Sequence, residues 1–431
     1  MINIELLRKN PDLFRGSMRK RNLDPNVVDE FLVFDTEWRA KLQEVEALRA
    51  EQKKLGAARK IEEAKALKEK LIVAETGLPE LEKKRLERAR RIPNLVLESV
   101  PVGTSEAENV TLREVGKKPK FAFAHKKYVE LSKKLDIIDT ARAGKVSGSR
   151  FGYIKGDLAR LEFALVQFAF DTLTDQKLLK KIIAKNKLPV PGAPFIPVIP
   201  PIMVKCEMME GMGYVERGSE EIYFLEKDNL YLVGTSEQSI GPMHADETFY
   251  ERELPKRYLS FSTCFRREAG SYGKDTKGIL RVHQFNKLEM FSLIAPDFSE
   301  NEHRFFLALE EYLMQKLELP YRVLNICSGD LGDPAAAKYD IETWFPGEGE
   351  YRETHSTSNT TDYQSRRLGI RYRSNRTHLS TTSNFVHLIN GTAFSERPLL
   401  AILENYQTEK GTVRVPKVLV PYCGFREITK Q

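Results

Sequence analysis

The chain has few of the residues that cross-link small folds or hold metals. Only four cysteines occur in 431 residues, at Cys206, Cys264, Cys327 and Cys423, and no two form a CxxC pair. A zinc knuckle or disulfide framework is therefore not expected, no structural zinc is predicted, and a reducing compartment is the simplest reading. The histidines (His125, His244, His283, His303, His355, His378 and His387) show no metal-ligand spacing either. No apolar run approaches the ~18 residues of a membrane span. The opening MINIELLRKNPDLF lacks the apolar core of a signal peptide. Together these absences predict a cytoplasmic protein with no membrane partner. A strong charge excess is missing too. The 68 Lys and Arg exceed the 61 Asp and Glu by 7, which permits a nucleic-acid partner without requiring one.

What is present suffices for two or three domains with full cores, since 41% of the residues are hydrophobic. Residues 1 to 25 read as short helical turns broken by Pro11, Gly16 and Pro25. From about 27 to 91 charge is dense and aromatics nearly vanish after Trp38. Apolar residues there recur at three-four spacing. One series is Phe31, Phe34, Trp38, Leu42, Val45, Leu48 and Leu55. The other is Ile61, Ala64, Leu67, Leu71, Ala74, Leu78 and Leu81. This is the seam of two long helices folded back on each other, with the turn at Gly56-Ala57-Ala58. At ~1.5 Å per residue each helix extends roughly 40 Å. Gly77 and Pro79 predict a break near Thr76 to Pro79. The outer faces are assigned many basic residues, Arg85, Arg88, Arg90 and Arg91 among them, with acids interspersed.

Beyond the arm, prolines at 93 and 101 mark a linker. Asp157 is read as the cap of a helix with Leu161, Leu165, Phe168 and Leu173 on its face, and a second helix is predicted from Thr174 to Asn186. Residues 189 to 204, PVPGAPFIPVIPPIMV, read as a loop or an edge strand. Ser299 to Leu319 is amphipathic, with Ser299 and Glu302 placed as a capping box.

The densest chemistry lies between Cys264 and Phe291. Tyr258, Leu259, Phe261, Cys264 and Phe265 form one β-prone run, and Ile279 through Phe291 a second. The loop between them holds Gly270, Gly273, Gly278 and Lys274-Asp275. The predicted hairpin carries Arg266, Glu268, Arg281, His283 and Glu289 within its strands. Charges on half-buried strands need partners, and an arginine fork suits phosphate.

Phe265-Arg266-x-Glu268-Ala-Gly-Ser-Tyr-Gly-x-Asp-Thr-x-Gly278, followed by Arg281-x-His-Gln-Phe285-x-Lys-x-Glu289, resembles motif 2 of class II aminoacyl-tRNA synthetases, and within them the seryl-tRNA synthetase family. Asn390-Gly-Thr392-Ala-Phe-Ser-Glu-Arg397 is similar to motif 3. The resemblance implies an α+β fold: a six-to-eight-stranded antiparallel sheet flanked by helices, with an N-terminal antiparallel coiled-coil arm. It implies a tRNA-binding domain over 1–100 and a class II catalytic domain over 101–431. It also implies a homodimer built partly on the proline-rich stretch, and a serine–tRNA ligase whose arm grips the tRNA for serine, with selenocysteine tRNA a further candidate. Two rivals stand beside it: a non-catalytic RNA-binding relative, and an arm-less ligase that loads a carrier protein.

Roles follow by the same resemblance. Arg266, Glu268 and Arg397 are the catalytic set. Arg266 faces the α-phosphate and Arg281 the γ-phosphate. Glu268 reads adenine, Val282 lies beside it, and Phe285 and Arg397 stack on its two faces. Glu353 and Ser356 hold Mg²⁺ with ATP. Thr235, Ser236 and Glu237 match a loop that binds the amino group of serine, while Glu289 and Thr392 hold the rest of serine. One departure is plain. The family more often has cysteines where this chain has Thr357 and Thr360, and His355 is unusual there.

Overall fold

The computed structural model describes residues 1–216, 218–269, 277–373 and 383–430. The loop residues Gly270, Gly273, Lys274 and Asp275, and His378, lie outside them. The chain forms two compact units, Met1–Leu95 and Val96–Gln431.

In the first unit, helices Ile4–Lys9 and Pro11–Lys20 precede a long helix, Asn26–Ala57. Gly16 sits inside the second of these rather than ending it. Ile61–Thr76 and Leu78–Arg90 fold back along the long helix. The predicted break is present: Gly77 separates the two, and Pro79 falls in the first turn of the second, where its missing N–H costs nothing. Val45, Leu71 and Ala74 form the seam, with Leu48 and Leu78 packed on it. The turn lies slightly later than predicted. Helix runs through Ala57, and the chain reverses at Ala58 to Lys60, with Arg59 at φ 58°. Ile61 follows that reversal at once and is 66% exposed rather than part of the seam.

Arg85 is not on an outer face. It is buried, with its guanidinium 4.1 Å from the Trp38 ring and Nε 2.7 Å from Asp35. Arg8 reaches the same carboxylate at 2.7 Å. Burial alone would raise the Asp35 pKa, and the two arginines reverse that and lower it. Arg88 stacks on Phe34 at 3.7 Å.

The second unit is built on an eight-stranded sheet. Its strands in chain order are β1 (Val110–Val115), β2 (Ile196–Val198), β3 (Lys256–Phe265), β4 (Gln284–Ile294), β5 (Tyr321–Asn325), β6 (Ala337–Phe345), β7 (Glu350–Thr361) and β8 (His387–Ser395). They lie side by side in the order β1-β5-β6-β7-β8-β4-β3-β2. All neighbours are antiparallel except β2 and β3, which are parallel. The proline-rich stretch thus does supply an edge strand, as proline's missing donor demands.

One face of the sheet is covered by helix Ser299–Lys316, whose Phe305, Phe306, Leu309 and Leu313 are buried. The fit is close at Gly391 of β8. A Cβ there would stand 3.0 Å from Phe306 and 3.1 Å from the Glu310 carboxyl. The predicted capping box is not formed. Ser299 Oγ donates to Asn359 at 3.1 Å, and Glu302 makes a fully buried ion pair with Arg257 at 2.7 Å. A buried arginine needs a carboxylate more than a solvated helix end does. Asp157 likewise lies within its helix, Asp157–Thr174, after Gly156, and bonds Arg160. The next helix, Gln176–Lys185, is capped by Asp175.

Candidate active site

The hairpin of β3 and β4 is shorter than its β-prone runs. β4 starts at Gln284, so Arg281, Val282 and His283 precede it, and Arg266 and Glu268 follow the end of β3. Arg266 N still donates to His283 O at 2.9 Å, but the other backbone bonds of this stretch go elsewhere. Tyr128 Oη accepts from Ile279 N and Leu280 N at 3.2 Å each, and His283 N donates to Arg150 O at 3.0 Å. Ile279, Leu280 and Val282 are buried in the core, which accounts for their apolar character without a strand. The charged residues therefore leave the sheet where it stops and turn over its open face.

There they line one cavity of about 650 Å³. Its wall includes Arg266, Glu268, Arg281, Val282, Phe285, Glu353, Ser356 and Arg397, and also Thr235, Glu237, Glu289 and Thr392. Of the residues given a role in the site from the sequence, Ser236 alone is missing from the wall. Its hydroxyl is buried against Ser260 Oγ at 2.5 Å.

Strand geometry explains the convergence. On β4, alternation sends Phe285, Lys287 and Glu289 to the cavity and Leu288 and Met290 to the core. On β7, Glu353 and Ser356 are three apart and would ordinarily face opposite ways. Between β6 and β7 the register steps from Ile341↔His355 to Glu342↔Glu353, so Thr354 is an extra residue. This bulge brings both side chains to the cavity. A second bulge, at Ala393, lets Thr392 and Ser395 share that face.

At one end, guanidinium groups dominate. Arg266 Nε donates to Gly234 O at 3.1 Å, and its guanidinium stands 5.2 Å from the Phe285 ring centre. Arg281 pairs with Glu268 at 2.7 Å. Ser395 caps helix Glu396–Asn405, and Arg397 in its first turn reaches Glu353 O at 2.9 Å and Oε2 at 3.2 Å. Burial alone would raise the Glu353 pKa. Arg397, Lys338 and Arg266 outweigh it and bring the carboxyl down to about 2. Its side chain is 47% accessible, and that accessible area opens into the cavity.

The other end is rich in carboxylates. Glu237 and Glu289 are 3% and 1% exposed. Burial and the charge of Glu289 push Glu237 up to about 7, against hydrogen bonding from Tyr214 and the pull of Lys287 and Arg266. Burial also raises Glu289, opposed by Lys287, whose ammonium lies 2.5 Å away. Lys287 Nζ also donates to Thr235 Oγ1 at 3.4 Å.

The wall also holds residues given no role from the sequence, among them Tyr214, Lys287, Lys338 and Glu396. Lys287 had a signal, since it sits between Phe285 and Glu289 at strand spacing. Lys338, 2.9 Å from Asp340, had none, because nothing local marks β6 as part of the site. Thr357 and Thr360 tie β7 to β8. Thr357 Oγ1 donates to Asn390 O at 2.7 Å, and Thr360 Oγ1 to Leu388 O at 3.0 Å. His355, bonded to Ala393 O and Thr354, is held neutral by burial, with its pKa depressed to about 3.

Among the described residues no three His, Cys, Asp or Glu side chains cluster as a metal site. A carboxylate held ionised beside a hydroxyl does suit a hard cation that takes its other oxygens from phosphate. No helix among the described residues is long and apolar enough to cross a membrane.

Comparison with known proteins agrees with this geometry. Residues 223–406 match the class II core domain shared by the glycine, histidine, proline, serine and threonine tRNA synthetases, and residues 1–96 match the seryl-tRNA synthetase N-terminal domain. A serine–tRNA ligase of Clavibacter michiganensis is 43% identical, with 99% of this chain and 98% of the relative aligned. A crystal structure of seryl-tRNA synthetase from Pyrococcus horikoshii complexed with ATP superposes with a TM-score of 0.88 at 41% identity, covering all of both chains. A cytoplasmic serine–tRNA ligase from Naegleria fowleri in complex with AMP gives 0.85 at 34%, covering 100% of this chain and 99% of that one. Matched along its whole length in both sequence and fold, the chain belongs to the seryl-tRNA synthetase family.

Proposed function

We propose that the chain is a serine–tRNA ligase. It joins serine to ATP as seryl-adenylate, releasing pyrophosphate, and then transfers the seryl group to the 3′ end of the tRNA for serine. The observation that carries this reading is the convergence of phosphate-type and ammonium-type ligands in one cavity of about 650 Å³, a size that suits a nucleotide and a small amino acid.

In the first step a carboxylate oxygen of serine attacks the α-phosphorus as the bond to pyrophosphate breaks. Both reactants are anionic, so charge neutralisation and alignment do most of the work. Arg266 lies against the α-phosphate, where charge builds. Arg281 takes the γ-phosphate. Phe285 and Arg397 sandwich adenine, Val282 borders it, and Glu268 reads its edge before meeting the tRNA 3′ end. Glu353 and Ser356 would hold Mg²⁺, which neutralises the phosphates when bound. At the other end Thr235 and Glu237 receive the ammonium, with Ser236 anchoring their loop. Glu289 and Thr392 take the serine hydroxyl, so an analogue without it leaves buried polar groups unpaired. In the second step the terminal ribose hydroxyl attacks the adenylate carbonyl and AMP leaves.

The helical unit, residues 1–95, is assigned to the tRNA backbone through its exposed basic residues, and residues 96–431 to catalysis. A homodimer is assigned on the apolar surface beside the edge strand, where Phe163 is 64% and Ile199 85% exposed. The four cysteines are all free thiols, which suits the cytoplasm.

Amino-acid-dependent ATP–pyrophosphate exchange tests the reading. Serine is expected to drive exchange, and threonine and alanine to drive it far less. Exchange with no amino acid, or equally with threonine, refutes it. Charging of serine and selenocysteine tRNAs by the same preparation identifies the acceptors.

A further inference from the structure

The amino-acid end of the cavity contains a residue that no motif supplies. Helix Cys206–Met212 ends at Gly213, whose φ of 81° is the left-handed conformation that lets the chain turn sharply. Tyr214 follows at once. Its ring packs between two apolar clusters, one including Met212 and Ile240, the other Met209, Ile222 and Val233. Held on both sides, it lines the cavity, and its hydroxyl donates to Glu237 Oε1.

We propose that Tyr214 positions Glu237 for the amino group of the substrate and so tunes affinity for the amino acid rather than for the nucleotide. This rests on the assignment of that end of the cavity to serine. A carboxylate binds an ammonium well only if it is ionised and aimed. Besides Tyr214, the charged groups facing Glu237 are Glu289 and Lys287 on β4 and Arg266 beyond β3. Glu289 repels it, and burial favours its proton. The phenol counters both, because a donor on Oε1 stabilises the ionised form of a carboxylate that lines the cavity. Burial and the nearby Glu237 keep the phenol itself protonated, so it remains a donor.

The test uses the full chain and serine-dependent pyrophosphate exchange. Tyr214→Phe keeps the ring and removes only the donor. It is expected to raise KM for serine roughly five- to tenfold, the scale of one lost hydrogen bond. KM for ATP should change by less than about twofold. The acid limb of kcat/KM for serine should move to higher pH, because Glu237 loses a partner that favours its ionised form. In a Glu237→Gln background the same change should add little, since the group it acts on is gone. An unmoved acid limb, or equal loss toward serine and ATP, overturns the proposal and marks Tyr214 as packing. If Tyr214→Phe matches a wild type that uses serine, this inference alone falls. If the wild type exchanges with no amino acid, the assignment of the pocket falls with it.

Discussion

The two ends of the cavity place the same chemical group, a carboxylate on a strand or loop beneath the same open face, in opposite states. Glu353 is brought down to about 2, whereas Glu237 is pushed up to about 7. Burial raises both, more completely for Glu237, which is 3% exposed, than for Glu353, whose side chain is 47% accessible. The charges each faces set the direction. Glu353 meets Arg397, Lys338 and Arg266. The strongest charge on Glu237 is another carboxylate, Glu289, with Lys287 and Arg266 in opposition. An end with surplus cations suits a polyphosphate. An end with two buried carboxylates side by side suits a ligand that brings its own ammonium. The contrast between the ends thus lies in local charge balance before any ligand is considered.

Removing the guanidinium that acts at both ends should have the largest effect. Arg266→Ala is expected to cut adenylate formation by about 10²–10³ or more, the scale of losing a transition-state electrostatic contact. Exchange near the wild-type rate with normal thermal unfolding contradicts the α-phosphate role. A smaller effect should split the ends. Glu289→Gln is expected to raise KM for serine about tenfold while KM for ATP moves little. Equal changes in both would mean that Glu289 only supports β4.

The pH profile should show the contrast without mutation. Glu237 takes up a proton below about 7, so KM for serine should climb as pH falls below that value, by up to about tenfold per unit. Glu353 stays ionised to about 2, so KM for ATP should remain flat over the same range. Parallel profiles would erase the distinction between the ends.

The smallest effect is expected away from the cavity. His303 is fully buried, bonded to Thr357 O, and depressed to about 4 by burial. The unfolded chain takes up this proton near 6.5 and the folded chain does not, so stability falls as pH drops from about 6.5 toward 4. In His303→Gln, thermal unfolding should lose less of its midpoint over that interval. An identical slope assigns the acid lability to other groups.

Much of this site was readable before any coordinates. The motif resemblance placed Phe285 and Glu289 together, three-four spacing gave the arm, and Gly77 with Pro79 gave its break. Signals failed where two distant segments decide the outcome. Ser299 and Glu302 have the spacing of a capping box, but Arg257, far along the chain, takes the carboxylate. Arg85 reads as a solvated cation until Asp35 and Trp38 are found opposite it. Lys338 and Tyr214 reach the cavity through sheet order and a helix end, and neither leaves a local mark.

The single extra residue at Thr354 has a consequence for variation in this family of folds. With it, a Glu and a Ser three positions apart share a side; strict alternation would separate them by the thickness of the sheet. Loss or gain of one residue between 353 and 356 would therefore swing one of the pair into the hydrophobic interior. The length of that segment, more than the side chain at 354, therefore decides which face each of the two takes.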